Sequence, residues 1–158
     1  YRVSRFLIFL DPDKDPLGKG FQLRQSLIAV GTGGVTGRGL GGSIQKLAYL
    51  PYPQSDFIYA VTAEEFGLAG ATVIVACFGI LTWRGLRVVS RAPDAFGSLL
   101  ALGLTSMIAV QAFMNISVAL GMTPTKGIPL PLISYGGSSL LSTLISLGIL
   151  QSVGEQSG

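Results

Sequence analysis

Asp56 is the residue whose type and position most directly suggest chemistry. It lies in polar sequence, and a long apolar stretch begins just after it at Ile58. A carboxylate at the edge of a membrane costs free energy unless it is solvated or paired, so such residues commonly mark functional sites. Gln45 and Lys46 precede it in the same polar stretch and supply an amide and a cation. The first candidate site is therefore this carboxylate with these neighbours.

A second candidate site lies in residues 123–139. Three prolines within residues 124–131 prevent a regular helix, although the segment is largely apolar. Non-helical backbone at membrane depth is tolerated only inside protein or beside a wet cavity, so we expect a cavity wall. Lys126 could meet an anionic ligand there, and Ser138 and Ser139 would present hydroxyl and N–H groups at a helix start, which favour anions. An interfacial turn with a snorkelling lysine is the alternative.

Seven glycines lie between Gly31 and Gly42. Glycine lets backbone approach a ligand closely, so the amides of this loop could bind a pyrophosphate. Residues 37–42 also match G-x-G-x-x-G, but no strand precedes them and no βαβ unit surrounds them, which argues against a dinucleotide site. A flexible connector is the alternative interpretation of the loop.

The composition indicates a membrane protein. Of 158 residues, 49% are hydrophobic and 12% are charged, whereas a soluble domain carries about 25% charged residues. With no histidine and Cys77 as the single cysteine, a Cys/His zinc site and an intrachain disulfide are excluded. We expect Cys77 to pack in apolar surroundings. The basic residues are dispersed without interleaved aromatics, so we expect no nucleic-acid partner.

Three apolar segments are long enough to cross a bilayer, which takes about 20 residues. They predict a transmembrane region over residues 58–153, after a loop region of residues 1–57 and before a tail of residues 154–158. The expected fold is an all-α membrane protein, a polytopic helical bundle with a large extracytoplasmic loop that contains short amphipathic helices. The predicted transmembrane helices are 58–83, 96–120 and 132–152.

Polar residues near these spans add local predictions. Asp15 as a cap and Pro16 at the first position predict an amphipathic helix over 16–30, either on the membrane surface or packed in the ordinary way. Glu64 and Glu65 lie near the start of the first span, where carboxylates suit a helix N-terminal region.

In the second span, Gln111 and Asn115 share one face. We expect them to join helices rather than to contact a ligand.

Basic residues predict the orientation. Arg84, Arg87 and Arg91 follow the first span, whereas Lys46 is the sole basic residue within positions 40–57. The positive-inside rule therefore places residues 84–95 and the tail in the cytoplasm. The loop region and the proline-rich connection then lie on the outer side.

The order of these motifs resembles the SEDS family of bacterial shape, elongation, division and sporulation proteins, and its division branch most. The resemblance covers nearly the whole chain. It is carried by Phe9-Leu10-Asp11-Pro12, the glycine loop, Gln45-Lys46-Leu47, Asp56-Phe57-Ile58, Pro124-Thr125-Lys126-Gly127-Ile128-Pro129-Leu130-Pro131 and Ser134-Tyr135-Gly136-Gly137-Ser138-Ser139.

This resemblance implies a peptidoglycan glycosyltransferase that polymerises lipid II on the outer side of the bacterial cytoplasmic membrane. The chain would match the C-terminal helices of the family and the large external loop before them, and would be inactive by itself. The implied cofactor is a divalent cation, Mg²⁺ or Mn²⁺. The implied partners are a class B penicillin-binding protein and other division proteins. A lipid II flippase and a non-catalytic scaffold that binds a penicillin-binding protein are the alternatives.

The resemblance also implies that Asp56 is catalytic, and we expect it to act as the general base. Lys46 and Lys126 are the expected stabilisers of the leaving pyrophosphate. The chain departs from the family in the acidic and polar residues near Asp56. Tyr52, Gln54 and Ser55 stand where the family often has glutamate, histidine and threonine, and Ala48 stands where it often has glutamate.

Overall fold

The computed structural model describes residues 2–11, 18–42, 57–124 and 126–156. These residues contain helices and connecting segments but no strand, which confirms the predicted all-α fold. The described helices are α1 (Arg2–Leu10), α2 (Lys19–Gly33), α3 (Ile58–Arg91), α4 (Ala95–Ala119) and α5 (Gly137–Gln156).

Helices α3, α4 and α5 are each long and apolar enough to cross a membrane. Their ends differ from the predicted ones: α3 continues to Arg91 instead of ending near residue 83, and α5 begins at Gly137 instead of residue 132. The arginines after the apolar part of α3 do not interrupt its backbone hydrogen bonding, so the helix extends beyond the apolar segment. Arg87 lies over the ring of Trp83, with 4.2 Å between the guanidinium carbon and the ring centroid.

Small residues allow α3 and α4 to approach each other closely. Ala60, Ala63 and Ala112 are buried in the core that the two helices share. A Cβ atom at Gly85 would lie 2.3 Å from the Thr105 hydroxyl oxygen, so this crossing requires glycine. Close backbone approach of this kind is how membrane helices gain packing energy without a hydrophobic driving force.

The outward faces of the three long helices are apolar and exposed, as expected for surfaces in contact with lipid or with further helices. Cys77 lies on such a face of α3. The prediction that it packs in apolar surroundings stays a prediction, because lipid or further helices would cover this face.

Helix α2 is a packed helix. Its Leu23, Ser26 and Ala29 side chains are buried, and the Ser26 hydroxyl donates to the Ala119 carbonyl oxygen at 2.7 Å. Of the two interpretations that the sequence left open, the structure therefore supports ordinary packing. The helix spans 19–33 instead of 16–30, and the predicted cap and first residue lie outside the described residues. Helix α1 is short and exposes one apolar face, formed by Val3, Phe6, Leu7 and Leu10.

Helix α3 is broken at Gly67, which has a φ of 67° and a ψ of −160°. Glycine adopts this conformation at little cost because it lacks a Cβ atom. In a continuous helix the carbonyls of Glu64 and Glu65 would accept from the N–H groups four residues ahead. The break removes these partners, so both carbonyls need other donors.

The glycine-rich loop that follows α2 supplies those donors. The amides of Arg38 and Gly39 donate to the carbonyls of the two glutamates, at 3.0 and 2.9 Å, and the Leu68 amide donates back to the Gly34 carbonyl at 2.8 Å. A Cβ atom at Gly37 would lie 2.2 Å from a backbone oxygen of α3. The loop is therefore docked on the helix break. The Arg38 and Gly39 amides are bonded to α3 and are not presented to a pyrophosphate, and the docking argues against a flexible connector.

Replacing Gly67 by alanine should destabilise the protein. A positive φ with ψ near 180° is open essentially only to glycine and costs another residue about 1–3 kcal/mol, and the new Cβ atom would lie 2.4 Å from the Gly37 nitrogen. Thermal unfolding of the full-length protein in nanodiscs measures the effect as a lowered Tm.

Gly79→Ala is the matched control for that prediction, since it lies in the same helix and a Cβ atom there meets nothing within 4 Å. Alanine is favoured over glycine in a helix by about 1 kcal/mol, so this variant should keep or raise the Tm. Equal loss of Tm in both variants would contradict a specific role for the break.

Candidate functional site

A cavity of about 480 Å³ opens between the start of α3 and the segment that leads into α5. Ile58 forms one side, and residues 132–137 with Leu140 form the other. The proline-rich connection therefore ends in a cavity wall, as its sequence predicts. Asp56 lies two residues before Ile58 in the sequence, but Asp56, Gln45 and Lys46 are outside the described residues.

The cavity wall is anchored at its base by a tight turn. Leu130 and Pro131 are fully buried. The Leu130 amide donates to the Ser134 hydroxyl oxygen at 2.8 Å, and the Ser134 amide donates to the Leu130 carbonyl at 3.0 Å. This turn satisfies the backbone without a helix, which explains why α5 begins only at Gly137.

The turn holds Leu132 at a φ of 67°, a conformation that is unfavourable for a residue with a Cβ atom. Strained backbone of this kind persists where the surroundings determine it, and it is concentrated at functional sites. Leu132, Ile133 and Tyr135 are exposed and line the cavity, and Tyr135 retains 81% of its accessible surface. The cavity therefore offers an apolar wall that carries an aromatic ring and a phenol group.

Asn115 connects α4 to the same segment. Its side-chain amide donates to the Ile128 carbonyl at 2.7 Å, and the residue is almost fully buried. The sequence predicted a bridging role for this amide. The structure assigns the bridge to the proline-rich segment rather than to a second helix, while Gln111 is half-buried one turn earlier.

The predicted ligand-binding residues of this region, Lys126, Ser138 and Ser139, are not among the lining residues of the cavity. Ser138 and Ser139 directly follow the lining residue Gly137 in the first turn of α5. Lys126 is exposed in the extended stretch before the buried turn. The structure thus brings both serines to the edge of the cavity and leaves the lysine accessible.

Sequence reasoning missed Glu64. The residue is 1% exposed, and its carboxylate lies 3.7 Å from the Arg38 guanidinium, which is 40% exposed. We expected Glu64 to lie in the N-terminal region of a helix, where a carboxylate is favourable. The break at Gly67 instead puts it in the last turn of a short helical segment. The signal that identified Asp56, a carboxylate next to an apolar stretch, applies equally to Glu64.

No group of three Asp, Glu or Cys side chains within the described ranges could hold a metal ion. The divalent cation that the family resemblance implies stays a prediction.

The chain is similar to known proteins over its whole length. The family model described as "Cell cycle protein", for FtsW, RodA and SpoVE, matches residues 1–158. The chain is 52% identical over 157 residues to Stage V sporulation protein E of Bacillus subtilis, covering 99% of this chain and 43% of that protein. It is 54% identical over 153 residues to a probable peptidoglycan glycosyltransferase FtsW of Alkalilimnicola ehrlichii, covering 95% of this chain and 38% of that protein.

A solved structure has the same fold. It is described as "Structural coordination of polymerization and crosslinking by a peptidoglycan synthase complex", and one of its chains aligns with a TM-score of 0.76 and 32% identity over 98% of this chain and 41% of that chain. The chain thus spans about two fifths of the length of the relatives that it matches.

Asn115→Leu should loosen the cavity wall, because it leaves the Ile128 carbonyl without its donor. An unsatisfied buried polar group costs about 1–3 kcal/mol, so the segment should open more often and trypsin should cleave faster after Lys126. Limited proteolysis of the full-length protein in nanodiscs measures the rate. Gln111→Leu, one turn earlier on the same face, is the control, and equal cleavage rates in the two variants would argue against the bridge.

Proposed function

This chain belongs to the FtsW/RodA/SpoVE family of cell cycle proteins, and from that membership we propose that the protein, at the full length of its relatives, is a peptidoglycan glycosyltransferase. Its proposed reaction is the polymerisation of lipid II into glycan strands during bacterial cell division. The names of its FtsW relatives support this activity.

The cavity beside Ile58 is the single structural observation that carries the proposal. Asp56 is separated from this lining residue only by Phe57, which is itself almost fully buried. The proposal therefore assigns Asp56, two positions before Ile58 in the sequence, to the chemistry of this cavity. This space faces an apolar wall with one aromatic ring, a surface suited to the apolar and ring portions of a lipid-linked sugar.

The proposed reaction is one displacement with inversion at the anomeric carbon. The hydroxyl oxygen of the acceptor sugar forms a bond to that carbon, and the bond from the carbon to the lipid pyrophosphate breaks. Asp56 takes the hydroxyl proton as general base, and the pyrophosphate leaves with the electron pair. An α-linked donor gives a β-linked product in this way, because one displacement inverts the configuration.

The leaving pyrophosphate needs positive charge or oriented donors. Lys126 and Lys46 are the proposed cations, and the first turn of α5 at Ser138 and Ser139 adds N–H and hydroxyl groups at a helix N-terminus. The sequence also offered the glycine loop as a third source of donors. Its Arg38 and Gly39 amides are excluded from this role because carbonyls of α3 accept hydrogen bonds from both.

The proposed location is the bacterial cytoplasmic membrane with the cavity on the outer side. Arg84, Arg87 and Arg91 are exposed at the end of α3 far from Ile58, which supports a cytoplasmic position for that end. The proposed partners are a class B penicillin-binding protein and other division proteins. The similar chain from a peptidoglycan synthase complex supports the first of these.

Asp56→Asn should abolish glycan polymerisation by the purified full-length protein, alone or with its partner synthase. General-base assistance accelerates a reaction about 10²- to 10⁴-fold, so the rate of polymerisation should decrease by a factor in that range. Gel analysis of the polymer made from lipid II measures the rate. Glu155→Gln, which removes an exposed carboxylate at the end of α5, is the control and should leave the rate unchanged.

Near-normal polymer from Asp56→Asn would contradict the proposed base. Lipid II movement across liposome membranes by a protein that makes no polymer would instead favour the transporter, which needs no base.

Lys126→Ala should raise the KM for lipid II by roughly an order of magnitude, as expected for loss of a charge-assisted contact. The residue is exposed, so the Tm should change little. Lys126→Arg keeps the charge and should retain most of the affinity. An unchanged KM for Lys126→Ala would show that the lysine side chain only extends to the membrane interface and does not bind lipid II.

A further inference from the structure

The break in α3 joins the docked glycine loop to the helical segment that leads away from Asp56. We propose that Arg38 and Glu64 are positioning residues for the transfer reaction, acting through this segment rather than by touching substrate. The inference rests on the proposed function, because it assigns the two residues to the reaction that Asp56 is proposed to catalyse.

The segment from Ile58 to Phe66 is one helical unit. It is helical up to the break at Gly67. Its Tyr59, Ala60 and Ala63 side chains are buried in the core. Ile58 at one end lines the cavity, and Glu64 near the other end contacts the loop. The angle of this segment at the break therefore affects the position of Ile58 in the cavity wall.

Backbone hydrogen bonds join the loop to the break, and the glycine at the break has no side chain that could add to them. The side chain of Glu64 adds a second restraint. A buried carboxylate is strongly unfavourable without a partner, and the Arg38 guanidinium at 3.7 Å lies on the loop that bonds to the break. Separating the loop from the segment would take the Arg38 charge away from this buried carboxylate, so the pair helps to hold the loop against the segment.

The length of the helical segment makes this restraint important for the transfer reaction. From Gly67 to Ile58 is nine residues of helix, or about 13 Å at 1.5 Å per residue. A rotation of about 5° at the break therefore moves the far end by roughly 1 Å. Misplacement of a reacting group by that amount can cost about a hundredfold in rate.

The charge pair therefore has a kinetic signature that differs from that of a binding residue. Its loss should lower kcat, because the base and the cavity wall are held less accurately in the substrate complex. The KM should change little, because neither side chain lines the described cavity.

The experiment compares Arg38→Gln, Glu64→Gln and the double variant in the full-length protein, with lipid II as substrate. Each single variant should lose about tenfold or more of kcat with a KM near the wild-type value, and the double variant should lose no more than one single variant. Arg38→Lys should retain most activity, because lysine keeps a positive charge opposite the Glu64 carboxylate. Arg84→Gln removes an exposed arginine from the other end of α3 and is the control.

A distance across the break provides the second readout. Cys77 is exposed on α3 and takes a spin label, with a second label at Thr62→Cys and any cysteines outside this chain replaced. The two sites are roughly 20 Å apart by helix rise. The proposal expects a broadened distance distribution in Arg38→Gln and Glu64→Gln, and a wild-type distribution in Arg38→Lys and Arg84→Gln.

A loss of kcat without a change in the distance distribution would overturn the proposal, and so would a changed distribution with normal kcat. If Asp56→Asn is inactive while both Gln variants keep the wild-type kcat, the positioning role fails and the proposed function stands. If Asp56→Asn keeps the wild-type rate, the proposed function fails, and the assignment of Arg38 and Glu64 to that reaction fails with it. Arg38 is partly exposed, so its variants should fold even if Glu64→Gln does not.

Discussion

A helix that breaks at a membrane boundary must find new partners for the backbone groups that the break releases, and this requirement organises the structure. Water is scarce there, so an unsatisfied carbonyl or amide is costly. The break at Gly67 releases two carbonyls and one amide, and the glycine loop pairs with all three. The loop can approach so closely because glycines occupy the points of contact, where a Cβ atom would overlap the α3 backbone.

The cavity follows from two such departures from regular helix. On one side, the break separates a short segment that begins at Ile58 from the rest of α3. On the other side, prolines and the turn at Leu130 delay the start of α5 until Gly137. Each irregular stretch is held by particular polar contacts, namely the Asn115 amide with the Ile128 carbonyl and the Ser134 hydroxyl with the Leu130 amide. The space between them exists because neither chain segment fills it as a continuous helix would.

Two carboxylates, eight residues apart in the sequence, are proposed to have different roles. Asp56 lies next to the cavity in sequence and is the proposed base, whereas Glu64 is buried against Arg38 and is the proposed restraint on the segment between them. Tyr52 and Ala48 stand at positions where the family often carries acidic residues. A mechanism that uses one carboxylate for proton transfer is compatible with those replacements, because it needs no acidic side chain at either position.

The sequence by itself determined the three membrane helices, the cavity wall and the family. Apolar runs of bilayer length identify spans because burial in lipid depends on composition over a long window, and prolines exclude a helix whatever surrounds them. The tertiary structure decided the rest. It showed that Arg38 and Gly39 donate to α3, that Glu64 is buried, that Cys77 faces outward and that α2 begins at Lys19. These features depend on partners far apart in the chain, and local spacing carries no information about which carbonyl a distant amide will meet.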